Sequence, residues 1–509
     1  MIPHLAGSAL LERAMPVHME KTLRHFAGNS CPDPSSVGND MALQDAPDIS
    51  SQKLKPARPR PPRRAPGLTA TLIRPHLLSN LIASYPHDWY DGDFHEFRIG
   101  IAAAGRGTVV NHPDTIRHIL VSHSDNFPKD TNQLAILRPL LGDGLLTASG
   151  PGWRQARKLA APIFQHSSVR DFAPIFVAAA QRSVERVLQR GEIFSIDREM
   201  TQVTLEVIGE AILSADLSDD IEGIAGTVTG TLEKFPAMFL AAALLPPRIR
   251  DAFLERLVLA GRRQLDVFAR RIIKRAHERE SGNSLLTRMM DASRADTGHE
   301  MSLAQVRDEV ATFLLAGHET TATTLSWAWY LLTLHPEAFE RMQAEVDAVA
   351  PNRPLTAEDV PALPYTRAVL DETLRLYPIV ANIMRTTLAD DITPTGLPLK
   401  AGRTVLISPW LMHRHRRYWQ EPDRFVPERF LTQESTAQPR YAYLPFGGGP
   451  RVCIGASFAL LEAVLILGTY AQHANIRVLN AHNVRPLARI VLRPNRRLRA
   501  MASKRRPAT

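Results

Sequence analysis

Hydrophobic positions change their period several times along this chain. Between 113 and 376 they recur mostly at helical spacing, and the longest series opens at Ser302. Ser302 followed by Gln305 is a capping box, and Leu303, Val306, Val310, Phe313, Leu314 and Gly317 carry the stripe onward. The next hard stop is Pro336, so the pattern predicts one helix of about 33 residues, roughly 50 Å long. Elsewhere the period shortens. Phe97 to Val110 reads as a small strand pair turning at Gly105-Arg106-Gly107, and Asp391 to Ile407 is strand and turn in character. The last 35 residues hold short Val/Ile/Leu strands. The fold class expected is mainly α with a minor β part, without a repeat at a fixed period and without a domain linker after Gly67.

Residues 1–67 follow no such pattern. Cys31-Pro32-Asp33-Pro34 leads into Lys53-Leu54-Lys55-Pro56 and Arg58-Pro59-Arg60-Pro61-Pro62-Arg63-Arg64. Prolines alternating with like charges favour extended, solvated chain, so 1–67 is read as a disordered Pro/Arg-rich tail and 68–509 as one catalytic domain. The tail is a solvated linker or an over-called start more readily than a contact for an anionic surface.

The net charge is +9, and it is localised. Ile49 to His87 carries seven basic residues and no acidic ones, and the chain beyond Glu462 carries ten more with none. The remaining body is therefore mildly acidic, which excludes a typical nucleic-acid-binding fold. Two cysteines, Cys31 and Cys453, in 509 residues suit a reducing compartment. The longest wholly apolar run, Ala237 to Leu245, is nine residues against the roughly 20 a membrane-spanning helix needs. Without a signal pattern at the start, the expected location is the cytoplasm.

Three places carry chemistry. The predicted long helix has Ala316-Gly317-His318-Glu319-Thr320-Thr321 at its centre, a weak stretch for a helix interior. It reads as a local distortion where something small approaches the backbone. Taken alone it reads more readily as a glycine for close helix packing with threonines bonding back to the preceding turn. Ala322 stands where a zinc-protease helix would need its second histidine, which excludes that reading of His318-Glu319. Second, Glu372 and Arg375 share a helix face with apolar Val369, Leu370 and Leu374 around them. Third is Phe446-Gly447-Gly448-Gly449-Pro450-Arg451-Val452-Cys453-Ile454-Gly455, followed by the helical pattern Ala456 to Ala471. Backbone N–H groups of such a loop, with the positive end of the next helix, moderate the charge of a metal-binding thiolate. Phe446 is placed to shield the sulfur and Arg451 to meet an anionic group of a cofactor.

From Gly67 to the C-terminus the chain resembles the cytochrome P450 family of haem-thiolate monooxygenases, in its bacterial-type soluble form. The Cys453 loop matches the family pattern Phe-x-x-Gly-x-Arg-x-Cys-x-Gly at each fixed position. Glu372 and Arg375 match its Glu-x-x-Arg helix, Arg429 in Pro427-Glu428-Arg429-Phe430 its third partner, and Trp153 with Arg157 its Trp-x-x-x-Arg helix. The resemblance implies haem b between the long central helix and the cysteine loop, with Cys453 as the iron ligand. It implies cofactor contacts from Trp153, Arg157, Ala316, Arg385, Phe446, Arg451, Cys453 and Gly455, and proton delivery by Glu319 and Thr320 through water. Glu372, Arg375 and Arg429 are then structural.

The implied activity is insertion of one oxygen atom of O2 into a hydrophobic small molecule such as a fatty acid, terpenoid or steroid-like compound. Electrons would come from a separate ferredoxin or flavodoxin with an NAD(P)H reductase, since no flavin or iron–sulfur domain is fused. Peroxide-driven or isomerising chemistry, and a non-catalytic haem sensor, are the rival readings. Asn132 to Leu137, Phe313, Ala316, Gly317, Thr321 and Val380 to Met384 should line the pocket. One departure stands out: His413-Arg414-His415-Arg416-Arg417 lacks the acid many relatives carry after the arginine. Together with Arg154 and Lys158 it reads either as a basic face for an acidic electron carrier or as solvated surface. Ala237 to Leu245 falls where relatives place a substrate-access cover; it reads as a peripheral membrane or greasy-substrate contact or as a packed helix end.

Overall fold

The computed structural model describes residues 80–98, 106–213, 245–278, 285–297, 301–432 and 438–505, with isolated positions between 214 and 244. The tail expected at 1–67 and most of the apolar run Ala237 to Leu245 lie outside the described residues. The helices that frame the site are α1 (Thr131–Leu141), α2 (Gly150–Ala160), α3 (Ile196–Leu213), α4 (Leu303–Leu334), α5 (Pro364–Leu376) and α6 (Ala456–His473).

Helix α4 is the predicted long helix, 32 residues, and its capping box is formed in both directions. The Gln305 amide N–H donates to Ser302 Oγ at 3.2 Å, and the Ser302 N–H donates to Gln305 Oε1 at 2.8 Å. Of the two readings of its centre, the distortion is absent. α4 runs unbroken through Ala316 to Thr321, and the Thr320 hydroxyl donates to the Ala316 carbonyl at 2.7 Å. Gly317 serves packing instead: a Cβ there would come within 2.4 Å of Ile208 Cδ1 on α3. In its lower half α4 is buried all round, with Trp327 stacked on Tyr377 at 3.9 Å between ring centroids.

The β part centres on a four-stranded sheet of β1 (Phe94–Arg98), β2 (Arg106–Val110), β3 (Ile383–Thr386) and β4 (Thr404–Ile407), ordered β1-β2-β4-β3. β1 and β2 are antiparallel, but Arg98 pairs with Arg106, so Arg106 and Gly107 belong to the strand and not to its turn. Phe97 pairs with Gly107, where any Cβ would strike the Phe97 ring at 2.3 Å. β2 and β4 are parallel, a pairing that needs a long crossover, and the helices α1 to α5 lie within it.

The Glu372–Arg375 pair sits wholly inside the protein. Arg375 donates to both Glu372 oxygens at 2.6 and 2.8 Å and to the carbonyls of His413, Pro422 and Arg424. Arg429 adds a third charge, its Nε 3.2 Å from Glu372 Oε1. The basic stretch after Met412 is divided, with Arg416 and Arg417 exposed and the three residues before them inside. His413, Arg414 and His415 are buried, and Arg414 lies 3.6 Å over the Trp410 ring. Arg416 pairs with Asp91, Arg417 with Asp93 and the buried Arg414 with Asp423.

Candidate functional site

Between α4 and the cysteine loop lies a cavity of about 390 Å3. Its floor is the loop from Phe446 to Ile454, shaped by two left-handed glycines, Gly447 at φ +74° and Gly449 at φ +70°. Gly449 is pressed so closely on the helical turn His118–Ser122 that a Cβ would lie 1.7 Å from the Leu120 carbonyl oxygen. The loop closes with the Cys453 N–H donating to the Phe446 carbonyl at 3.0 Å, and α6 starts directly after Gly455.

Cys453 has open surface, yet protein encloses it: the space its sulfur meets is the cavity. Burial pushes the thiol up from its ordinary value, while the Gly455 N–H and the Arg157 guanidinium pull the other way. Its thiolate therefore needs a further positive partner in that cavity.

One edge of the cavity is cationic. Arg157 Nη1 donates to the Val452 carbonyl at 2.7 Å, Arg451 Nη1 to the Ala148 carbonyl at 2.9 Å and Arg385 Nη1 to the Met384 carbonyl at 2.9 Å. The Arg451 guanidinium also covers the Trp153 ring at 3.9 Å. Lys129 joins them, donating to the Leu146 carbonyl. Among the described residues no carboxylate answers these charges. Burial, with repulsion from Arg451 on Arg385 and from Arg157 on Arg451, pushes both down to about 10, and burial with its two arginine neighbours pushes Lys129 down to about 7.

The other walls are apolar or hydroxylic. Leu134, Leu137, Leu145, Leu146, Phe313 and Ala316 face the cavity, as do Val380, Asn382 and Ile383 opposite them. Thr320, Thr321 and Thr324 line it along α4. Gly317, Ala381 and Met384, also expected there, are not on the wall. Nor is Glu319, whose Oε2 lies 4.0 Å from the buried His318 Nε2. Gly455 contributes its backbone below the sulfur and not a wall.

A thiol on the floor, a cationic edge without counter-charge and an apolar roof fit a flat iron-bearing group with an acidic rim. The comparisons agree with that chemistry. The family model for cytochrome P450 matches residues 102–498. The chain belongs to the cytochrome P450 family. It is 33% identical over 413 residues to putative cytochrome P450 132 of Mycobacterium bovis, covering 77% of this chain and 87% of that one. It is 32% identical to cyclooctatin synthase of Streptomyces melanosporofaciens, covering 78% and 85%, and 28% identical to the chloroplastic carotene epsilon-monooxygenase of Arabidopsis thaliana, covering 74% of each. The solved cytochrome P450DA haem domain shares the fold, with a TM-score of 0.74 at 23% identity over 89% of this chain and 99% of that one.

This P450 is accordingly a haem-dependent monooxygenase that uses O2 and a redox partner. Among its described residues no helix is long and apolar enough to cross a membrane. Two groups at the site escaped the sequence reading. Lys129 reaches the cavity only through a β-bridge to Arg385, a partner that spacing along the chain does not reveal. Glu462 sits fully buried on α6 with neither carboxyl oxygen completing a hydrogen bond among the described residues, although the Thr321 hydroxyl lies close enough to act on it. Burial pushes this acid up to about 8, so it is largely protonated at neutral pH.

Proposed function

We propose that this P450 hydroxylates a hydrophobic small molecule of terpenoid-like character, with electrons from a separate ferredoxin or flavodoxin and its NAD(P)H reductase. The observation that carries this reading is the apolar wall of Leu134, Leu137, Leu145, Leu146 and Phe313 in the same cavity as the Cys453 sulfur. One relative's name adds weight, since carotene epsilon-monooxygenase acts on a carotene.

Haem, when bound, supplies the redox and dioxygen chemistry, and thiolate ligation favours O–O cleavage. The chain's own residues do the rest. Cys453 would hold the iron through its sulfur, its charge moderated by the Gly455 N–H and the α6 terminus. Trp153, Arg157, Arg385 and Arg451, together on the cavity edge, would hold the acidic rim. Ala316 leaves room beside α4 for the small oxidant. Thr320 holds a proton at Oγ1 on the cavity wall, and Glu319, one residue behind that wall, renews it through water. Phe446 keeps solvent from the sulfur side.

The first test is the carbon monoxide difference spectrum of the reduced protein, with Cys453→Ala alongside. A strongly red-shifted Soret band lost in the variant supports thiolate ligation; the shorter-wavelength band of a neutral ligand in well-folded protein overturns it. Carriers, NAD(P)H and a terpenoid panel then follow. Oxygen consumption that no apolar compound stimulates would favour the haem-sensor reading.

A further inference from the structure

Most polar groups on the cavity wall are already spoken for. The cations of one edge suit the acidic rim of a cofactor, and the hydroxyls along α4 are turned to the protein. Thr320 and Thr324 donate to the carbonyls one turn back, Ala316 at 2.7 Å and Thr320 at 3.0 Å. Thr321 lies toward Glu462, and Thr312 Oγ1 is pressed on Gly144, where a Cβ would come within 2.3 Å of it. Asn382 is different. It lines the cavity beside Val380 and Ile383, half-buried just before β3.

Its amide is held from behind. The Tyr85 hydroxyl donates to Asn382 Oδ1 at 2.5 Å, a contact between residues 297 positions apart. Tyr85 is buried, and burial pushes its hydroxyl up from the ordinary value, so it keeps its proton and stays a donor. That bond occupies Oδ1 and leaves the two N–H groups of Nδ2 directed elsewhere. Among the described residues no protein acceptor meets Nδ2, and protein does not seal it off as it does the Thr312 hydroxyl. The backbone on either side is fixed as well. The Ser408 hydroxyl donates to the Ala381 carbonyl at 2.9 Å, and the Leu492 N–H to the Ile379 carbonyl at 2.8 Å. A rigid amide, clamped at its acceptor and open at its donor in an apolar wall, suits recognition of a single acceptor atom.

We propose that Asn382 selects the substrate by donating from Nδ2 to an oxygen that the substrate already carries, with Tyr85 as the positioning residue that holds the amide. This rests on the haem-thiolate hydroxylase reading above and narrows its substrate class to terpenoids bearing a carbonyl, ether or hydroxyl oxygen. A hydrocarbon of the same skeleton would cover the amide without pairing it, and an unpaired polar group in an apolar pocket costs affinity.

The test uses purified holoprotein of wild type, Asn382→Leu and Tyr85→Phe, titrated with limonene against carvone and with valencene against nootkatone. Each pair is a hydrocarbon and a ketone of the same skeleton. The ligand-induced shift of the Soret band gives a Kd for each compound. Wild type should bind each ketone about tenfold more tightly than its hydrocarbon, the difference one hydrogen bond makes. Asn382→Leu should lose or reverse that preference, and Tyr85→Phe, which frees the amide to turn, should lose part of it. A merely structural tyrosine would weaken both members of a pair alike. Asn382→Asp keeps the shape but offers no N–H, so it should behave as Asn382→Leu and replaces it if that variant does not accumulate. Wild type without the preference, ketones that fail to bind included, overturns the proposal, as does a preference that survives in Asn382→Leu. Faster haem loss from Asn382→Leu with unchanged pair ratios would put the amide on the cofactor edge and overturn it too. Absence of the thiolate–carbon monoxide band in wild type would instead sink the haem-thiolate reading itself.

Discussion

Arg375 grips both carboxylate oxygens of Glu372, at 2.6 and 2.8 Å, where neither side chain touches water. With Arg429 on one of those oxygens and three backbone carbonyls on the guanidinium, the charges are satisfied inside the protein. Removing one member strands the others. Glu372→Ala should cost about 3–5 kcal/mol, seen as a lower melting temperature and reduced haem content. Lys400→Ala is the control. It breaks the exposed 2.7 Å pair with Asp390 and should leave the melting temperature and haem content at the wild-type level.

Glu462 gives stability a pH dependence of definite sign. Its folded value, about 8, lies above the 4.5 of an ordinary glutamate, so between those values the folded protein holds a proton that the unfolded chain has released. Stability from this group is therefore full below about 4.5 and declines as pH rises towards about 8, by at most about 1.4 kcal/mol per pH unit. Glu462→Gln keeps the shape and removes the titration. Denaturation of both proteins across this range should show the variant gaining on wild type as pH rises, and parallel curves would refute the assignment.

Some of this was legible in the sequence and some could not be. The Cys453 loop, the Ser302–Gln305 cap and the Glu372–Arg375 pair depend on neighbours close in the chain, where residue type and spacing carry the information. The centre of α4 was ambiguous for the same reason: glycine beside threonines suits a distortion or a close packing, and only Ile208 on another helix decides between them. The basic run after Met412 showed only part of its counter-charge in the sequence, because Asp91 and Asp93 are brought in by the fold from far along the chain while Asp423 lies close by. Lys129 and Glu462 gain their meaning from burial against β3 and α4, which spacing does not encode.

The packing of Gly317 on Ile208 can be tested directly. Gly317→Ala places a methyl 2.4 Å from Ile208 Cδ1, so the isoleucine must shift, at about 1–3 kcal/mol. Ile208→Val removes the obstructing methyl. The double variant should recover most of the loss, a coupling that a thermal melt of the four proteins reveals. Additive losses would refute the contact with Ile208 as the reason for the glycine.

Thr320 separates proton handling from structure. Its hydroxyl donates to the Ala316 carbonyl within an intact helix, so Thr320→Ala loses one local bond and should alter stability by less than about 1 kcal/mol. Its place on the cavity wall gives it the larger role. With a substrate and carriers in hand, Thr320→Ala should still consume NAD(P)H while much of the reducing power leaves as peroxide. Product per NAD(P)H should fall several-fold, and Thr320→Ser, which keeps a hydroxyl at the wall, should restore most of it. Glu319→Gln should act differently, because Glu319 stands behind the wall: it should slow oxygen consumption and leave the product ratio closer to wild type. An unchanged product ratio in Thr320→Ala would move proton delivery away from Thr320 and make the neighbouring Thr321, beside the protonated Glu462, the next hydroxyl to replace.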